Sequence, residues 1–290
     1  MVENSAGMPR PQGKGSTTNG ARATTVPVLR AVPACVKHGI PTWVMEGRPV
    51  PRRARIRAAG IPLHVIQRGH DRRACFFCDE DYRFYLYQLA ELSRRFECQV
   101  HAYVLMTNHV HMLLTPASDD GASLLMKNLG QRYVQYINRV YQRRGTLWEG
   151  RFRSSFVDRS EYFLKCHRYI ELNPVRAGMA EHPRDYRWSS YRTNAEMMDS
   201  AVVQPHDEYL ALGATREERC LAYRYHFRFE LAPDDLQQIR SAGAGGYALG
   251  NPRFQAEISA MIGRRVTRLR APPVSSVGVS SVGDSPSTEN

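Results

Sequence analysis

At 290 residues the chain can bury one sizeable core and a second small one. No apolar run approaches the roughly 18 residues that a membrane helix needs. Its 40 Lys and Arg against 28 Asp and Glu leave a formal charge of +12, which points to a polyanionic partner, most simply nucleic acid. Arg dominates Lys, and its planar fork suits phosphate; a genome rich in G and C would explain that ratio but not the net charge.

Residues 1–48 mix Ser, Thr, Gly, Pro and Arg without periodicity and are expected to be a disordered N-terminal extension. They hold no apolar segment followed by a small-residue cleavage site, so a cytoplasmic, nucleoid-associated protein is expected. Met45, ahead of Arg48, Arg52, Arg53, Arg55 and Arg57, would make a natural translation start for a folded unit. The six cysteines are scattered; Cys75-Phe-Phe-Cys78 has zinc-knuckle spacing, but no second pair completes a tetrahedral site.

Order is expected from an alternating strand, Ile61 to Gln67. Asp79 or Asp81 then caps a helix to about Phe96, whose apolar side carries Tyr82, Phe84, Tyr85, Leu86, Leu89 and Leu92. A strand from Cys98 to Met106 turns through Thr107-Asn108 into a second strand opening His109-Val110-His111. A helix follows from about Ala122 to Arg143. The aromatic, basic stretch Leu147 to Val157 comes next, then a helix from Ser160 that ends at Asn173-Pro174. Strand, helix, strand, strand, helix, strand is a split β-α-β plan: α+β, ferredoxin-like, an antiparallel sheet with helices on one face. That domain spans 49–192; residues 205–270 form a smaller helical, basic C-terminal module, and 271–290 a disordered tail.

His109 and His111 lie two apart on a strand and project to one face, about 7 Å apart at the backbone. That is half of a divalent-metal site, or a pair of histidines facing solvent. Tyr169 and Asn173, four apart on the third helix, share a face. If that face meets the strand end, it brings a phenol and an amide oxygen to the metal. Tyrosine is a poor nucleophile at its ordinary pKa near 10, a handicap that a polarising cation removes. The chemistry suggested is phosphoryl transfer on DNA: Tyr169 attacks a phosphodiester, leaving a 5′-phosphotyrosine and a free 3′-OH. Packing of Tyr169 in the core is the competing reading, and Tyr133 and Tyr136 are rival nucleophiles within an apolar stripe. Arg139, Arg143, Arg144, Arg151 and Arg153, interleaved with Trp148 and Phe152, would make a track for single-stranded DNA, unless Trp148 packs inward. Arg264, Arg265, Arg268 and Arg270 could add phosphate contacts.

His109-Val-His111, Tyr169-Ile-Glu-Leu-Asn-Pro-Val-Arg-Ala-Gly178 and Leu147-Trp-Glu-Gly-Arg-Phe152, in that fold, together resemble the single-tyrosine HUH transposases of the IS200-like superfamily, most of all the REP-associated tyrosine transposases. The resemblance covers about residues 49–192 and continues more weakly through Gly245–Phe254 and Ile262–Arg265. It implies an HUH endonuclease fold that nicks and rejoins single-stranded DNA near REP-like palindromic hairpins, with Mg²⁺ or Mn²⁺, as a monomer or homodimer. It also implies His109 and His111 as metal ligands, Tyr169 as nucleophile and Asn173 as third ligand, the last a weaker donor than Glu. A non-catalytic, RRM-like nucleic-acid-binding domain and a zinc hydrolase stay open as alternatives.

Overall fold

A computed structural model describes residues 57–267. β1 (Leu63–Arg68), α1 (Asp79–Arg95), β2 (Cys98–Met106), β3 (His109–Pro116), α2 (Gly121–Val140) and β4 (Arg153–Phe156) follow in the split order expected. The sheet runs β2-β3-β1-β4 with every neighbouring pair antiparallel, which is the ferredoxin-like arrangement. The 1–48 extension, the start near Met45, Arg52, Arg53, Arg55, Arg268, Arg270 and the 271–290 tail lie outside the described residues.

Several boundaries move for identifiable reasons. Cys78, not an aspartate, caps α1; Asp81 sits at the third helical position and accepts from the backbone N–H of Phe77 (2.8 Å) and Cys78 (3.2 Å). α2 stops at Val140, three residues early, and the chain turns through Gln142 at φ 50°. Within the stretch 147–157 only Arg153–Phe156 is strand, although Trp148 and Glu149 still pair with the end of β1, where the Glu149 N–H donates to the Arg68 carbonyl at 2.8 Å. Pro174 does not end the helical path either. α3 (Arg159–Glu171) gives way at Leu172 to a further turn, α4 (Asn173–Arg176), where Pro174 occupies a position that needs no N–H donor.

Helices cover both faces of the sheet, not one. The pleat sends Val65 and Gln67 toward α1 and α2, where Gln67 approaches Gly130 and Trp148. It sends His64, Ile66 and His111 the other way, toward Tyr169 on α3 and toward α8 (Pro233–Gly245). The shorter α5 (Tyr191–Glu196), α6 (Asp207–Leu210) and α7 (Arg216–His226) pack beyond α3, and α9 (Pro252–Met261) follows α8. Ile239, Leu249, Ile258 and Val266 from this C-terminal stretch join the same buried cluster as the sheet. Leu249 also donates its N–H to the Phe156 carbonyl (2.7 Å) and accepts from Asp158 N–H (2.8 Å), extending the sheet beside β4.

Two contacts fix the helices over the second face. A Cβ on Gly243 would meet Ile66 Cδ1 at 2.7 Å, so glycine is what lets α8 lie directly on β1. Glu171, fully buried on α3, accepts from Ser190 Oγ (2.5 Å), Asn194 Nδ2 (2.9 Å) and Tyr223 Oη (2.8 Å), tying α3 to the segment 190–194 and to α7. Burial pushes its pKa up to about 7, against the lowering effect of those three hydrogen bonds.

A carboxyl so raised keeps a proton in the fold that the unfolded chain has released, so stability is full at low pH and falls as pH rises through the folded value. Glu171 is therefore expected to cost on the order of 3 kcal/mol between about pH 4.5 and pH 7, with no further loss above. In thermal melts across that range Glu171→Gln should flatten the slope; an unchanged slope would refute the assignment. Gly243→Val should lower stability by about 1–3 kcal/mol through overpacking. Adding Ile66→Ala should recover part of that loss in denaturant titrations, and strict additivity of the two substitutions would argue against the contact.

Candidate active site

The strand hairpin places the histidines as its register dictates. His109 pairs with Arg68 and His111 with Ile66, so both imidazoles lie on the face that α3 and α8 cover. Their ring centroids are 5.0 Å apart. Tyr169 reaches the same place from α3, its ring edge-on to His111 at 5.9 Å and to His64 at 5.8 Å. Asn173, one turn on, lines the cavity with Tyr169, His109 and His111. The four residues singled out in the sequence thus meet in one cavity of about 320 Å³.

All three imidazoles are held neutral near pH 7. Burial lowers His64 to about 3; burial, then the Arg68 charge, lowers His109 to about 4. His111 lies well below the usual range, chiefly from burial and then from neighbouring positive groups. Neutral imidazoles are what a cation requires of its ligands. His109 and His111 also have their Nδ1 engaged: His109 Nδ1 bonds to Asn108 Oδ1 at 2.6 Å and His111 Nδ1 to His64 Nε2 at 2.8 Å. The remaining ring nitrogen, Nε2, is the one left for a ligand. The Asn173 amide nitrogen donates to the carbonyls of Tyr169 (3.0 Å) and Ile170 (3.1 Å), leaving its oxygen as the available donor atom. Among the described residues no three His, Cys, Asp or Glu side chains gather into a metal cluster. Asn173 brings an amide oxygen to the same cavity.

The cavity wall is strongly basic. Arg68, Arg151, Arg153 and Arg240 line it against the single acid Glu149. Arg176 stacks its guanidinium 4.4 Å from the centre of the Tyr169 ring and donates to the Tyr169 carbonyl. Burial lowers its pKa to about 10, so it keeps its charge, and its Nη1 is buried without a hydrogen-bond partner.

The rival tyrosines go elsewhere. Tyr133 is fully buried on the opposite face of the sheet, donating to the Cys75 carbonyl at 2.7 Å, and burial raises its pKa far above the ordinary value. Tyr136 stacks on Phe84 at 4.0 Å. Trp148 also turns inward, against Tyr133 and Tyr85, so it offers no exposed stacking face. Of the five arginines in the expected DNA track, Arg151 and Arg153 line the cavity; Arg139, Arg143 and Arg144, at the end of α2, do not. Arg143 instead lies over the Phe77 ring.

Four contributors were missed in the sequence. His64 was legible in principle: it is a polar residue on the same strand face as Ile66 and Arg68, two steps from each neighbour in turn. Arg176 stood inside the quoted motif without a role. Arg240 and Gly243 come from α8, far along the chain, and only the tertiary packing reveals them.

Residues 58–173 match the family described as "Transposase IS200 like". No curated protein matches the chain. Among solved structures, a REP-associated tyrosine transposase bound to a REP hairpin is 16% identical and aligns over 53% of this chain and 91% of its own, with a TM-score of 0.44. A protein described as a transposase, from Deinococcus radiodurans R1, is 21% identical over 41% of this chain and 95% of its own, with a TM-score of 0.30. A bacterial tRNA(His) guanylyltransferase-like protein in complex with GTP is 12% identical over 44% and 71%, with a TM-score of 0.31. Likenesses this distant carry no functional argument, and the family match rests on the sequence itself. The stretch that matches the IS200-like transposase family, residues 58–173, is the one that brings the histidine pair, the tyrosine helix and most of the basic wall to one sheet face.

Proposed function

We propose that this domain is a transposase, a metal-dependent endonuclease and strand transferase for single-stranded DNA, with Tyr169 as nucleophile. The observation that carries the reading is the convergence of Tyr169, His109, His111 and Asn173 in one cavity walled by arginines. His109 and His111 through Nε2, and Asn173 through its amide oxygen, would hold a divalent cation, Mg²⁺ or Mn²⁺. Such an ion supplies charge to a phosphodiester oxygen and to the developing transition state.

The rest of the work falls to the protein's own groups. Arg68, Arg151, Arg153 and Arg240 hold the DNA backbone in the cavity by phosphate contacts. The Tyr169 oxygen attacks phosphorus and gives up its proton; the P–O3′ bond breaks, and the departing 3′ oxygen takes up a proton. One P–O bond is exchanged for another, leaving a 5′-phosphotyrosine and a free 3′-OH that can reverse the step. Arg176, flat against the Tyr169 ring, favours the electron-rich phenolate on both the forward and the return path. His64, through its bond to His111 Nδ1, sets which nitrogen of His111 faces the cavity.

The resemblance of the sequence motifs makes a single strand carrying a REP-like palindromic hairpin the substrate to use. The RRM-like alternative needs an open sheet face for bases to stack on, whereas helices lie on both faces of this sheet.

A labelled hairpin oligonucleotide incubated with the full chain and Mg²⁺ or Mn²⁺ should yield a covalent adduct stable to denaturant. Tyr169→Phe should abolish it, whereas Tyr133→Phe should retain it. An adduct with Tyr169→Phe would remove Tyr169 as nucleophile, and cleavage without any adduct would point to a hydrolase. Mn²⁺ titration followed by electron paramagnetic resonance offers a second check. His64→Phe, which takes away the His111 Nδ1 partner, should weaken binding by about 10–100-fold. Unaltered affinity would show that His64 does not orient the ligand.

A further inference from the structure

Arg151 lines both the proposed catalytic cavity and a second concavity on the other side of β1. This groove, of about 670 Å³, runs along α2 and is also lined by Arg151, together with Gln67, Lys127, Gly130 and Trp148. Gln67 and Arg68 are consecutive on β1 and so face opposite sides of the sheet: Arg68 enters the catalytic cavity and Gln67 the groove. A strand held by Arg68 and Arg151 thus needs only to cross the end of β1 to reach the groove.

Among the described residues, two polar atoms there have no partner. Trp148 Nε1 and Gln67 Oε1 are both buried and make no hydrogen bond, and their residues are 5% and 7% exposed. Unpaired buried polar groups are costly and rarely kept without a use. Both side chains converge on Gly130, where an added Cβ would lie 3.7 Å from Gln67 Nε2 and 3.8 Å from Trp148 Nε1. Glycine in the middle of a helix is itself unfavourable by about 1 kcal/mol, and here it leaves a methyl-sized gap beside the Trp148 indole N–H and the Gln67 amide.

We propose that the groove at this gap is a binding site for one unpaired nucleobase of the DNA strand whose phosphate sits in the catalytic cavity. The pairing edge of any base offers an acceptor beside a donor, to match Trp148 Nε1–H and Gln67 Oε1. In a duplex that edge is occupied by the partner base, so the site takes unpaired bases only. Lys127 and Arg151 hold the flanking phosphates. The inference rests on the nicking function proposed above, and it assigns Trp148 an edge contact from within the core in place of an exposed stacking surface.

The test measures binding of fluorescein-labelled oligothymidylate and of an oligonucleotide with the same backbone but abasic central positions, by anisotropy, in chelator to prevent cleavage. The full chain should prefer the base-bearing strand by about tenfold, the scale of one base contact. Trp148→Phe, which keeps the ring and loses the N–H, should bring that preference to about twofold or less, as should Gly130→Leu, which fills the gap. Affinity for the abasic strand should stay unchanged. Gly130→Ala, whose Cβ makes only ordinary contacts, serves where the leucine does not fold, and should show an intermediate loss. Equal binding of both strands by the unaltered chain, or full preference retained by the folded variants, would overturn the site. A chain that forms the Tyr169 adduct yet ignores the base refutes the pocket alone. One that discriminates bases yet forms no adduct refutes the nicking function alone.

Discussion

The buried bond between His64 Nε2 and His111 Nδ1, 2.8 Å long, is the constraint around which the site is organised. Only one of the two nitrogens can carry the shared proton. If His111 donates, its Nε2 is an open lone pair, and His64 must carry its own proton on Nδ1, which is buried without a partner. If His64 donates, its Nδ1 is a bare acceptor and His111 Nε2 is blocked by hydrogen. A cation held at His111 Nε2, as proposed, would select the first arrangement. Both arrangements leave His64 Nδ1 without a partner among the described residues. Burial of both rings keeps either state neutral, so the choice is one of tautomer and not of charge.

What makes that bond possible is strand geometry. β1 and β3 are antiparallel neighbours, and His64, Ile66, His109 and His111 all fall on the face turned to α3. The opposite set, Val65, Val110, Met112 and Leu114, is fully buried against the first helix layer. One strand pair therefore supplies a core to one side and the arginine-walled cavity to the other, and a slip of one residue in either strand would exchange the two.

This division explains what could be read from the residues alone. The alternation in 98–106 and 109–116, broken at Thr107-Asn108, fixes the hairpin locally, and β2 runs from Cys98 to Met106 as expected. The spacing of Tyr169 and Asn173 likewise survives because both lie on one helical path, despite Pro174. Local patterns are silent about what covers the second sheet face. That depends on Gly243 accepting close contact with Ile66, and on Glu171 finding Ser190, Asn194 and Tyr223, partners 19 to 52 residues away. The cap of α1 was misassigned because cysteine seldom fills that role, while Asp81 supports it from three positions inside. Trp148 was read as a stacking surface because an aromatic among arginines suggests one; the Gly69–Trp148 bridge to the end of β1 turns it inward instead.

The sheet has two outer strands, and chain from beyond residue 185 closes both. On β2, the Leu105 N–H donates to the Trp188 carbonyl, the Ser190 N–H to the Tyr103 carbonyl and the Gln204 N–H to the Val100 carbonyl; on β4, Leu249 does the same work from the far side. Raw strand edges invite pairing with other chains, and here the segments after residue 185 occupy part of each edge. Along these bonded stretches, a second copy would have to displace chain that is already paired there before it could add a strand of its own.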